Sequence, residues 1–258
     1  MDKKNGIPGW SVAFMVLALA GIACSLVSGL PSTGTPLSPT RKATFTPPSQ
    51  ATVVKATQIP PTAGSTAVFT EVAPRPHPQA QGLSMGDPQA LVVVVAYGDF
   101  QCGPCGNYSQ VFEPNIILLY IATGKVYYTF VPFSFLDEQS GAVGNESKHA
   151  AEAAYCASEQ DKFWEYHDLL LANQAPENSG GFGDDRLAAM AASIDLNVTQ
   201  FSACYTAHKY QQRVLQDETA SYNAGITQVP SFMVNGKLVN LPDLTVAIDA
   251  AYKAKGGE

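Results

Sequence analysis

The stretch that most limits what this chain can fold into is Leu91–Tyr97 (LVVVVAY), a short, continuous apolar and β-branched run. That is the pattern of a buried central strand. It leads directly into GDFQCGPC (98–105), and a helical pattern follows from about Gly103 to Ala122. Pro114 is expected to kink that helix and Gly124 to end it. Lys125–Val131 (KVYYTFV) then reads as a second strand, rich in β-branched and aromatic residues. Strand, turn with two cysteines, helix and strand make a βαβ unit, whose crossover is expected to be right-handed.

From Asn145 to about Ala224 the pattern turns helical. Asn145–Ser158 is Ala-rich, and Asp161–Ala172 carries Phe163, Trp164, His167, Leu170 and Leu171 on helical spacing. A loop is expected over 178–183. Asp184–Ile194 starts with acids that suit a helix N-terminus. Asn197–Gln200 has the form of a capping box, and a longer helix is expected from about Lys209. The chain then returns to β structure. Ser231–Val234 and Lys237–Leu241 flank Asn235-Gly236, a pair suited to a type I′ hairpin turn. Pro242 opens a last helix to about Lys255. The fold class predicted is α/β: βαβ, an inserted α-helical stretch at about 145–215, then ββα.

Composition confines this reading to residues 82–258, enough for one ordinary hydrophobic core. Residues 31–81, rich in Pro, Thr, Ser and Ala, keep no hydrophobic period and read as a disordered spacer. Before them, Lys3 and Lys4 precede an apolar run over 10–27, which directs the following chain outward. That run reads in three ways: an uncleaved signal anchor, a signal cleaved before Cys24 with lipid attachment, or a signal cleaved and released. The first two place the folded part on the extracytoplasmic side of a cell membrane. Residues 1–81 hold six basic and two acidic side chains, whereas the remainder holds nine and twenty. So acidic a folded part repels phosphate backbones, and nucleic acid is not an expected partner.

Two cysteines spaced C-x-x-C serve either half a zinc site or a redox pair. The zinc reading lacks its other half. There is no second CxxC, Cys156 and Cys204 are far apart, and His77, His149, His167 and His208 show no H-x₃₋₅-H spacing. No metal is expected, and the histidines of the helical stretch read as helix-surface or packing residues. At a strand-to-helix junction the redox reading is much the stronger. Thiol–disulfide exchange needs a thiolate near neutral pH, and a helix N-terminus stabilises one. Cys102 is therefore expected to be the exposed nucleophile and Cys105, one turn further in, the resolving thiol. Cys156 and Cys204 lie on separate predicted helices. Outside the cytosol they are expected to form a structural bridge, with two buried thiols or a second redox pair as alternatives.

CGPC between a strand and a helix, with GITQVPSFMVNG (225–236) more than a hundred residues later, resembles the thioredoxin superfamily. The helical stretch between them, with GDFQCGPCGNYSQVFEP and AAEAAYCASEQDKFWEYHDLLL, is similar to DsbA-like oxidoreductases. The resemblance covers the folded part only. It implies a thioredoxin-like fold with a helical insertion, and a cis Val229–Pro230 bond beside the CxxC that offers backbone groups of Val229 to a substrate strand. It implies no cofactor beyond the redox-active disulfide. Its partners would be exported protein substrates and a membrane redox partner, either a quinone-linked oxidase or an electron supplier. One departure stands out: the buried acid that the family commonly carries six residues before its first active cysteine is Ala96 here. Asp99 is the nearest acid, serving either as proton acceptor or as a cap of the turn. Location and insertion favour a disulfide donor, while Gly-Pro between the cysteines is the thioredoxin version and favours a reductase or isomerase. A tethered binding module that has merely kept the fold is the third reading.

Overall fold

The computed structural model describes residues 68–139 and 144–257. The apolar run, Cys24 and the spacer as far as residue 67 lie outside the described residues. Among the described residues no helix is long and apolar enough to cross a membrane.

Five strands form one sheet in the order β1-β3-β2-β4-β5: β1 (Ser84–Met85), β2 (Val92–Gly98), β3 (Val126–Pro132), β4 (Ser231–Val234) and β5 (Lys237–Val239). β2 and β3 run parallel, and the other pairs are antiparallel. The hairpin β4–β5 turns on Asn235 and Gly236, both at positive φ, as a type I′ turn requires. Asn235 also ties the hairpin to β2, because its side chain accepts from the Val93 N–H at 2.8 Å. β2 is central, but it is not buried on both faces as its continuous apolar run suggests. Val92, Val94 and Ala96 are buried, whereas Val93 remains 40% exposed. The two-residue β1 has no counterpart in the predicted elements.

The helix carrying the cysteines, α1, alternates α segments (Gly103–Asn107, Glu113–Ile116) with wider π turns (Tyr108–Phe112, Ile117–Ile121). Pro114 is the cause at the first junction. It has no N–H to give, the Glu113 N–H reaches back to the Tyr108 carbonyl, and the Ser109 carbonyl is left without a helical donor.

After the short α2 (Phe135–Gln139) come the helices of the insertion: α3 (Glu146–Ser158), α4 (Phe163–Ala172), α5 (Asp184–Ser193), α6 (Val198–Thr206) and α7 (Gln211–Asn223). α7 ends within a residue of the expected Ala224, where Gly225, at φ +80°, turns the chain back toward the sheet. Only half of the predicted capping box forms. Asn197 accepts from the Gln200 N–H, but its own N–H is taken by Gln160 from outside the helix. A 3₁₀ turn, Leu241–Asp243, precedes the last helix, α8 (Leu244–Ala254). Sheet and insertion share one core, continuous from Val94 and Tyr128 through Phe163 and Leu170 to Leu187 and Phe201. Cys156 on α3 and Cys204 on α6 are joined by a disulfide.

The spacer reading fails for residues 68–81, which form a strap packed on the domain. Phe69 and Val72 lie against the core, and Thr70 and Asn173 exchange hydrogen bonds. The main reason is Arg75. Its Nη1 donates to the stranded Ser109 carbonyl, its Nη2 to Ser109 Oγ at 3.2 Å, and its Nε to Asp168 Oδ2 at 2.8 Å. One guanidinium thus fills the defect that Pro114 makes in α1 and pairs a buried acid on α4. The folded part begins no later than Val68, not at Gly82.

Two expectations follow. Arg75→Ala leaves Asp168 buried without its guanidinium and should lower stability by about 3 kcal/mol. Urea unfolding measures this, and a fragment starting at Gly82 should lose at least as much against one starting at Val68. Replacing Cys156 and Cys204 together by Ala opens a closed loop of 48 residues and should cost about 4 kcal/mol, with the Cys102–Cys105 exchange retained.

Candidate active site

Cys102 is the N-cap of α1 and Cys105 lies in its first turn; the two are joined as a disulfide with Cα atoms 5.2 Å apart. Pro104 suits the helix start, where an N–H would lack a partner in any case. The Cys105 N–H points at Cys102 Sγ at 3.1 Å, the direction that stabilises a thiolate once the disulfide opens. Cys102 Sγ also lies 3.6 Å from the Val229 carbonyl, and the Val229–Pro230 bond is cis. The turn at 102–105 and the loop at 229–230 therefore face each other. Cys102 is the outer member of the pair, as expected, but it is itself buried: it is 4% exposed and Cys105 2%. Closure of the disulfide and the Val229 carbonyl cover the outer sulfur.

Behind the turn lies a buried polar cluster. Asp99 Oδ1 accepts from the Gln101 N–H at 2.8 Å and Ser147 Oγ at 2.7 Å, and its Oδ2 accepts from the Leu136 N–H at 2.8 Å. Three donors on one carboxylate make Asp99 the anchor of the turn. Burial pushes its carboxyl up to about 6; these hydrogen bonds restrain the rise, and the nearby Asp137 adds to it. Asp137, itself shifted upward by burial, accepts from the N–H groups of Ser147 and Lys148 at the start of α3. The Gln101 side chain, buried beside Cys102, donates to Ser147 Oγ at 2.8 Å and accepts from the Asn178 N–H at 2.7 Å. On the other side, Gln174 Nε2 donates to the carbonyls of Phe100 (2.8 Å) and Cys102 (2.7 Å). Gln101, Asp137, Ser147 and Gln174 escape the sequence reading. They act through long-range hydrogen bonds that follow no periodicity.

Among the described residues, Glu113, His167 and Asp168 come close enough to suggest a cation site. That place already has its cation, because Arg75 pairs with Asp168 and lies 4.0 Å from Glu113. Burial works to raise the Asp168 pKa. Hydrogen bonds from His167 and His77, with the charges of His167 and Arg75, hold it well below the usual carboxylate range. His167 is a buried packing residue, its ring 4.6 Å from that of Phe130.

A dithiol–disulfide pair at a helix N-terminus, opposite a cis-proline loop on a thioredoxin-like sheet with a helical insertion, defines a DsbA-like thiol–disulfide oxidoreductase. The comparisons with known proteins agree. A family model described as thioredoxin matches residues 79–250, and the chain belongs to this family. A probable disulfide bond formation protein D of Bacillus cereus is 30% identical over 177 residues, covering 66% of this chain and 78% of that protein. The oxidised structure of BdbD from Bacillus subtilis superposes with a TM-score of 0.60 at 22% identity, covering 67% of this chain and 93% of that one. The Na(+)/H(+) antiporter NhaA 3 of Salinispora tropica is 32% identical over 171 residues; the match covers 65% of this chain, which spans 24% of the antiporter's length.

Asp99 sets a pH dependence. Its folded pKa, about 6, lies above the ordinary carboxylate value of 3.8, so the folded state binds the proton more tightly than the unfolded chain. The stability this contributes is complete below about pH 4 and is lost as pH rises through about 6, some 3 kcal/mol in all. Asp99→Asn should abolish that slope, which equilibrium unfolding from pH 4 to pH 7 measures.

Proposed function

We propose that this chain is a membrane-attached, extracytoplasmic oxidoreductase that donates its Cys102–Cys105 disulfide to exported proteins. The observation that carries the reading is the oxidisable pair at the start of α1, facing the Val229–Pro230 loop and framed by a helical insertion. The chemistry is two exchanges. A substrate thiolate attacks Cys102 Sγ, and Cys105 leaves as thiolate. A second substrate thiolate then attacks the substrate sulfur of the mixed disulfide and releases Cys102. The substrate gains a disulfide, and the protein keeps two electrons and, once its thiolates are protonated, two protons. A membrane redox partner that passes those electrons to quinone would restore the disulfide.

An apolar cleft of about 430 Å³ supports an unfolded chain as substrate. Its lining comes from α1, with Tyr108, Phe112 and Ile116, and from the segment opening α8, with Leu241, Pro242 and Leu244. Its lining suits apolar side chains that a folded protein would hide. Attachment rests on the apolar run over 10–27, acting as an anchor or ending at a lipid-bearing Cys24.

Gly103-Pro104 between the cysteines favours a second reading, a reductase or isomerase supplied with electrons across the membrane. The reduction potential in glutathione buffers separates the two. A disulfide donor should lie near the roughly −120 mV of DsbA, and a value near the roughly −270 mV of thioredoxin would overturn donation. Cys102→Ser should abolish turnover; a variant that keeps full function would instead mark a binding module.

A further inference from the structure

We infer that Gln174, from the insertion, is a positioning residue for Cys102: by donating to two carbonyls of the active-site turn it stabilises the Cys102 thiolate and makes the disulfide more oxidising. This rests on the redox reading of the Cys102–Cys105 pair.

The dipeptide between the cysteines cannot supply this stabilisation. Gly103 has no side chain and Pro104 has no N–H. What remains near Cys102 Sγ is the Cys105 N–H at 3.1 Å, set against the Val229 carbonyl at 3.6 Å. A thiolate is favoured by the first and opposed by the second, so the balance depends on how the other dipoles of the turn are held. Two carbonyls of the turn that carries this sulfur, those of Phe100 and of Cys102 itself, both receive the Gln174 amide. Their negative ends are thereby drawn to a donor and partly neutralised. The Cys102 carbonyl also accepts the first helical bond from the Gly106 N–H at 3.0 Å. Gln174 thus braces the turn that aims the Cys105 N–H at the sulfur.

A second observation ties Gln174 to the active helix. A Cβ at Gly106 would collide with Gln174 Oε1 and come within 3.0 Å of the Leu171 carbonyl. Gly106 leaves room for the end of the glutamine, so the residue just after CGPC and the second residue after α4 form a matched pair. Through this amide group the insertion reaches the carbonyls of Phe100 and Cys102.

The test uses Gln174→Met, which keeps the volume and removes the donors, and Gln174→Glu, which keeps Oε1 beside Gly106 and also has no donor when ionised. Equilibration with glutathione, together with titration of the Cys102 thiolate by its ultraviolet absorbance, reads the effect. Both variants should shift the equilibrium about fivefold toward the disulfide, the worth of one ordinary hydrogen bond. That corresponds to a potential about 20 mV more negative. The Cys102 titration should move to higher pH in step. If the variants exchange with the wild-type equilibrium constant, or lose stability equally in oxidised and reduced forms, Gln174 is merely structural and the inference falls. A wild-type protein that does not exchange with glutathione at all would sink the redox reading, and this inference with it.

Discussion

Everything at the active end depends on how the chain leaves β2 and enters α1. Within Gly98–Cys102 the backbone must pass from a sheet ladder to a helix start while buried, so each amide and carbonyl there needs a partner. Asp99 supplies acceptors for the N–H groups of Gln101 and Leu136, and its own carbonyl takes the Cys102 N–H at 3.1 Å. Gln174 supplies donors for the carbonyls of Phe100 and Cys102. The turn is satisfied on one side by its own Asp99 and on the other by Gln174, more than seventy residues away in sequence. Only then can Cys102 sit at the helix start with its sulfur facing the Val229 carbonyl.

Two buried acids show how environment, and not residue type, decides the charge. Asp99 is surrounded by neutral donors and another carboxylate, and burial raises its pKa to about 6. Asp168 is buried almost as well, yet His167, His77 and Arg75 drive its pKa the other way. The difference has a structural consequence. Asp99 is satisfied by residues of the domain proper, whereas Asp168 takes a guanidinium and an imidazole from the strap. Arg75 and His77 thereby make residues 68–81 part of the fold, although their polar, proline-rich composition would by itself leave them unpacked.

The strands and helices were legible wherever one residue pattern decides them. The β-branched runs at 91–97 and 125–131, Asn235-Gly236 and the acids before α5 all place elements to within a residue or two of Val92–Gly98, Val126–Pro132, the hairpin and Asp184–Ser193. The cysteine pair was legible by its spacing and context, and the cis-proline loop only through the family resemblance. The rest depends on contacts across tens of residues. Nothing in the local sequence shows that Arg75 serves a carbonyl stranded by Pro114, that Val93 faces outward, or that Gln174 reaches Cys102. The depth of Cys102 was misjudged for a related reason: exposure of a sulfur depends on the loop opposite, and that loop lies 127 residues away.

In this light the missing acid at Ala96 and the missing side chain between the cysteines belong to one design. Ala96 lies in β2 with 2% of its surface exposed, paired across to Phe130 and Phe232, so the floor of the site is apolar. An apolar floor offers a thiolate no charged neighbour to repel it and no group to solvate it. Gly103 and Pro104 add no side-chain donor. The sulfur's electrostatics are therefore left to backbone dipoles: the first amides of α1, the Val229 carbonyl, and the carbonyls that Gln174 holds. Dipoles act on a charge only in proportion to how well they are aimed, and their aim is fixed by side chains of the insertion and of β2's end. A DsbA-like frame around a thioredoxin-like dipeptide is then no contradiction, because in the role proposed for Gln174 the frame acts on a sulfur that the dipeptide leaves without a side-chain donor.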